Sequence, residues 1–120
     1  MMLDVHCKNG IFFMDWTVEF FNEQLREKLE SLPTDIIASF LRISRMIEGH
    51  GLLGMREPYV KHLEGPLWEM RMKGRSGIAR AVYVTLKHER VVIVHVFEKK
   101  TEKTPRREID LALKRAGNVK

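Results

Sequence analysis

A chain of 120 residues, 44% apolar and 31% charged, suits one globular domain with a single core and excludes disordered and collagen-like polymers. No run nears the ~18 apolar residues of a membrane span. No secretory leader pattern opens the chain, and a lone Cys7 permits no internal disulfide, so the expectation is one cytoplasmic domain over 1–120, irregular across 1–10.

In chain order, Asn9-Gly10 is a turn signal. Ile11 to Phe21 is rich in aromatic and β-branched residues, and Trp16, Val18 and Phe20 alternate with Thr17 and Glu19, which predicts a half-buried strand. Phe21, Leu25, Leu29 and Leu32 then recur at helical spacing until Pro33 stops the helix. Thr34 can cap a second helix with a wide apolar stripe through Ile36, Ile37, Phe40, Leu41, Ile43 and Ile47, ended by Gly49 and Gly51. Arg26, Lys28, Arg42 and Arg45 on these helices read as solvated faces. Residues 51–66 read as a long connection carrying Arg56, Lys61 and His62.

A meander of three strands follows. Leu67 to Lys73 alternates, with Trp68, Met70 and Met72 on one face and Leu67, Glu69, Arg71 and Lys73 on the other, the less buried one. Gly74-Arg75-Ser76-Gly77 makes a hairpin turn into Ile78–Leu86, which sets Arg80 among apolar neighbours. There it must find a partner or face a cleft. Lys87 to Arg90 turns into Val91–Phe97, a strand apolar throughout except for His95 and therefore covered on both faces. Lys99, Lys100 and Lys103 follow. Thr104 as N-cap and Pro105 then open a last helix that buries Ile109, Ala112, Leu113 and Ala116. The order β-α-α-β-β-β-α predicts an α+β fold, a mainly antiparallel sheet with helices on one face.

Charge is uneven along this order. Residues 1–55 hold five Lys/Arg against eight Asp/Glu, and residues 56–120 hold sixteen against eight. The second half is either a plain basic surface or the part that meets a polyanion such as nucleic acid. There is no phosphate-binding Gly-rich loop, no dinucleotide fingerprint, and no His/Cys spacing for a metal, so neither cofactor nor metal is expected. His95 reads as a core or cleft histidine rather than a general base. What remains is a group of cations on adjacent strands: Arg71, Lys73, Arg80, Lys99 and Lys100. Either it is a basic sheet edge, or it handles phosphate without metal. RNA brings its own nucleophile, the 2′-OH, and fixed positive charge stabilises the dianionic transition state. A lysine crowded by cations gives up its proton more readily and can serve acid–base chemistry.

Leu67-Trp68-Glu69-Met70-Arg71, Ile78-Ala79-Arg80-Ala81-Val82-Tyr83, and the string from His95 through Phe97-Glu98-Lys99-Lys100-Thr101-Glu102-Lys103-Thr104-Pro105 resemble the phage-derived branch of the RelE/HigB toxins. The resemblance runs from about Trp16 to Arg115. It implies a RelE-like fold and a type II toxin, an endoribonuclease that cuts mRNA on the ribosome. It also implies a cognate antitoxin, often a helix-turn-helix protein. By position, Arg71 and Arg80 match strand arginines that contact substrate phosphate, and Lys99 and Lys100 match the basic pair of this branch. Ala79 stands where a tyrosine is usual. The expected roles are Arg80 as transition-state clamp, Arg71 as second phosphate contact, and Lys99 with Lys100 for proton transfer and charge. Lys73, Lys103, Arg56 and Lys61 would be RNA-binding residues. General acid and base are left unassigned. A ParE-like gyrase inhibitor, or a non-toxic module that binds an antitoxin, are the alternatives.

Overall fold

The computed structural model of the protein describes residues 7–8, 11–12, 16–51, 55, 58–99 and 103–119. Two short strands, β1 (Cys7–Lys8) and β2 (Ile11–Phe12), pair antiparallel with each other. The stretch read as one strand over Ile11–Phe21 is thereby divided. Its second part, β3 (Thr17–Phe20), belongs to the main sheet.

Asn22 starts α1 (Glu23–Glu30), its side chain accepting from the Leu25 amide at 2.9 Å. In α2 (Thr34–His50) the Pro33 carbonyl accepts from the Ile36 and Ile37 amides, so Pro33 takes the cap position and Thr34 lies inside the helix. Gly51 ends α2 at φ 81°, and a β-carbon there would sit 2.8 Å from Trp16 Nε1, so only glycine suits both demands. The segment read as a connection holds a strand, β4 (Val60–Glu64). Only Val60 of it is fully buried, which is why its pattern is faint. The meander is β5 (Leu67–Gly74), β6 (Gly77–Leu86) and β7 (Arg90–Glu98), and α3 (Arg106–Ala116) closes the chain.

The sheet runs β3-β7-β6-β5-β4, antiparallel except for the parallel pair of β3 with β7. β7 is buried from Val91 through Phe97, because it lies between two strands and under helices on both sides. One face carries α1 and α2, whose Leu25, Leu29, Phe40, Ile43 and Ile47 meet Met70, Met72, Ala81, Tyr83 and Ile93. The other carries α3, whose Ile109 and Ala112 meet Leu67, Val82, Val94 and Phe97.

The α+β class and the antiparallel meander stand as read, with one correction: α3 covers the opposite face, not the face of α1 and α2. That cover explains why Leu67 and Glu69, expected on the less buried side, are 0% and 4% exposed. Trp68, expected to point inward with Met70 and Met72, is 38% exposed at the sheet margin, edge-on to His62 with ring centroids 5.0 Å apart.

Candidate active site

Register does the first work. β5 and β6 pair with Arg71 opposite Arg80, and Lys73 follows two residues along β5 on the same face. The end of β7 adds Lys99, whose amide donates to the Ile78 carbonyl at 2.8 Å. Beyond β5, the Arg71 amide donates to the Tyr59 carbonyl at 2.8 Å and holds Tyr59 along that edge. From α2, Ser39 Oγ accepts from the Lys73 amide and Asp35 Oδ2 from the Ser76 amide. The Ser76 amide also holds the Asp35 carboxyl below its usual range. Gly74 permits this approach, since a β-carbon there would meet Asp35 Oδ2 at 2.5 Å.

These tethers enclose a cavity of about 480 Å³ lined by Ser39, Arg42, Pro58, Tyr59, Arg71, Lys73, Ile78, Arg80 and Lys99. Five of the nine lining residues are cationic and none is acidic. Such a hollow attracts an anion and suits a phosphodiester. Arg71 is half-buried, and Lys73 and Arg42 are exposed.

Arg80 differs from the expectation. Its side chain is 3% exposed, and Nη1 donates to Glu69 Oε1 at 3.0 Å, Glu69 itself being 5% exposed at the side chain. The other Glu69 oxygen accepts from the Thr104 hydroxyl at 3.0 Å. Thr104 was expected to cap α3. Instead the Pro105 carbonyl accepts from the Glu108 and Ile109 amides, and the Thr104 hydroxyl is spent on Glu69. Arg80 therefore forms part of the cavity wall as a buried, carboxylate-held cation, not as an open clamp.

Of the remaining expected residues, Lys61 is exposed on β4 outside the cavity lining, and Lys103 is exposed ahead of α3. Arg56 and Lys100 lie outside the described residues. Arg42, Ser39 and Tyr59 were not expected here. Arg42 carries no sequence signal that separates it from a solvated helix charge. Tyr59, 39% exposed beside Pro58, is an aromatic in a basic segment, and that was the available signal.

His95 lies away from the cavity on the α3 side. Its Nδ1 is 3.2 Å from Arg115 Nη1, and its Nε2 makes a short contact with Glu108 Oε1. A guanidinium can only donate, so Nδ1 accepts and the ring proton sits on Nε2, shared with Glu108. The imidazole is thus neutral. Burial holds it below its ordinary value, outweighing the upward pull of Glu108. Among the described residues no group of three or more His, Cys, Asp or Glu is placed to hold a metal, and no helix is long and apolar enough to cross a membrane.

A five-stranded sheet with helices packed on both faces is the RelE fold. One similar solved structure is the crystal structure of the archaeal RelE–RelB complex from Pyrococcus horikoshii OT3. The match has 24% identity and a TM-score of 0.56 over 71% of this chain and 96% of that one. The family profile of phage-derived Gp49-like proteins matches residues 27–117, and the chain belongs to that family. No curated protein matches it.

Proposed function

We propose that this protein is the toxin of a toxin–antitoxin pair, and that it cleaves RNA at the cationic cavity. The convergence of Arg71, Lys73 and Lys99 with Arg42 and the buried Arg80 on one anion-attracting hollow carries this reading. A phosphodiester seated there has its non-bridging oxygens against Arg71 and Lys99. The 2′-oxygen attacks the adjacent phosphorus, its proton passes to a base, the P–O5′ bond breaks and the leaving oxygen takes up a proton. The products are a cyclic phosphate and a 5′-hydroxyl. Guanidinium groups do not titrate, so proton transfer falls to Lys99 and its neighbour Lys100, and Arg71 supplies fixed charge. Tyr59 offers a face on which a base can stack. The cations supply the charge a metal would otherwise bring, so cleavage should survive EDTA.

Dependence on the ribosome and inhibition by a cognate antitoxin follow the resemblance to RelE/HigB toxins. The antitoxin is supported by the fold shared with a RelE solved together with RelB. The test is to induce the protein, map mRNA ends, and compare Arg71→Ala and Lys99→Ala. Each should lower cleavage by about 10²–10³-fold, the usual cost of losing one preorganised charge. A folded double variant that still cuts RNA, or arrest with gyrase poisoning and intact mRNA, would refute the nuclease reading.

A further inference from the structure

Arg71 and Arg80 stand directly opposite each other on β5 and β6, an arrangement in which two like charges repel. Glu69, two residues before Arg71 on the same face, is the diagonal neighbour of Arg80, and its Oε1 accepts from Arg80 Nη1 at 3.0 Å. That carboxylate offsets the repulsion and lets both guanidinium groups line one cavity. Its second oxygen accepts from the Thr104 hydroxyl, also at 3.0 Å. With a donor on each oxygen, the Glu69 carboxylate cannot turn without breaking a bond. A threonine just ahead of a helix often spends its hydroxyl on the helix amides, yet α3 has no side-chain cap. The hydroxyl reaches Glu69 instead, 35 residues away in sequence.

We propose that Thr104 and Glu69 are positioning residues for Arg80. The Thr104 hydroxyl fixes the Glu69 carboxylate, and the carboxylate fixes the guanidinium in the pose it presents to the cavity. Neither Thr104 nor Glu69 lines the cavity, so both act through Arg80. A scissile phosphodiester gains negative charge on the way to its transition state, and a cation fixed beforehand stabilises that state without reorganising. A guanidinium left to swing lowers turnover more than binding, because the ground state carries less of that charge. The link from Thr104 through Glu69 to Arg80 stands on the hydrogen bonds alone; its effect on RNA cleavage rests on the proposed nuclease reading.

The test pairs Thr104→Val, which keeps the shape and loses the hydroxyl, with Thr104→Ser, which keeps the hydroxyl. Measured as RNA cutting per folded molecule, Thr104→Val should lower kcat by about tenfold, the usual contribution of one hydrogen bond to a charged group, and leave KM within about twofold. Thr104→Ser should recover most of that loss. In a Glu69→Gln background Thr104→Val should add less than about twofold, because the effect passes through the carboxylate. Nitrogen-15 NMR of the arginine side chains should show the Arg80 guanidinium rotating slowly in the wild type and in Thr104→Ser, and faster in Thr104→Val. A merely structural role would lower the unfolding midpoint and leave kcat per folded molecule alone. Wild-type kcat in Thr104→Val, equal losses in Val and Ser, a raised KM at unchanged kcat, or an undiminished effect beside Glu69→Gln would overturn the proposal. If the wild-type protein cuts no RNA, the nuclease reading falls, and the NMR comparison decides the link to Arg80: equal rotation in all three proteins would overturn it.

Discussion

The Glu69 carboxylate receives hydrogen bonds from two distant places, Arg80 on the neighbouring strand and Thr104 ahead of α3. It therefore holds a cavity cation and Thr104, ahead of α3, at once. Truncating either member of a buried ion pair leaves the other charged without its partner, at about 3–5 kcal/mol, whereas replacing both with apolar side chains of like volume is often tolerated. Urea unfolding should thus show Glu69→Ala and Arg80→Ala each destabilised by about that amount, and Glu69→Leu/Arg80→Met close to wild type. Equal stability of all three single and double variants would refute this account of the pair. For the same reason Arg80→Ala is a poor probe of chemistry, since it tests folding first. Arg71 and Lys99 are the cleaner positions.

Between elements, α3 is held to β7 by polar contacts as well as by Ile109 and Ala112. Arg115 Nη1 donates to the Val94 carbonyl at 2.9 Å and to His95, which in turn donates to Glu108. The folded imidazole takes a proton less readily than the unfolded one, whose ordinary value is near 6.5. Falling pH therefore protonates the unfolded chain first. This contribution to stability is complete above about pH 6.5 and is lost as pH drops through the folded value. His95→Gln should flatten the pH dependence of the unfolding midpoint across that window. A second contact titrates lower. Glu19 holds Arg90 by paired hydrogen bonds of 2.9 Å across the β3–β7 junction, and they lower its carboxyl below its ordinary value of 4.5. Its contribution persists until pH falls below about 4.5, so Glu19→Gln should change the acid limb and leave the His95 window alone. A single merged transition unaffected by either variant would contradict both assignments.

Over the whole molecule, the charge is directed. The net +5 comes from the second half of the chain, and folding gathers Arg71, Lys73 and Lys99 beside Arg42 from the first half. If these four exposed or half-buried cations each meet a phosphate, the slope of log affinity against log salt for single-stranded RNA should be about −3. Arg71→Ala should reduce the slope by about 0.7. A slope near zero would mean that RNA binding, if any, does not use the hollow. In the core, Ile43 is fully buried between α2 and the sheet, and Ile43→Ala should cost about 2–5 kcal/mol without altering that slope.

The sequence by itself determined the three helices, the meander, the strand covered on both faces, and the closeness of Arg71, Arg80 and Lys99. Each of these follows from a local period or a short hairpin that leaves one register. Only the tertiary structure decided which face α3 takes, and with it the burial of Glu69 and Arg80. A strand apolar on both sides offers two equal faces and does not say which helix covers which. The same limit hid β4, whose edge position leaves too little burial for a pattern. It hid Arg42 too, a helix charge like its neighbours until the Ser39 and Asp35 contacts bring α2 to the β5–β6 hairpin.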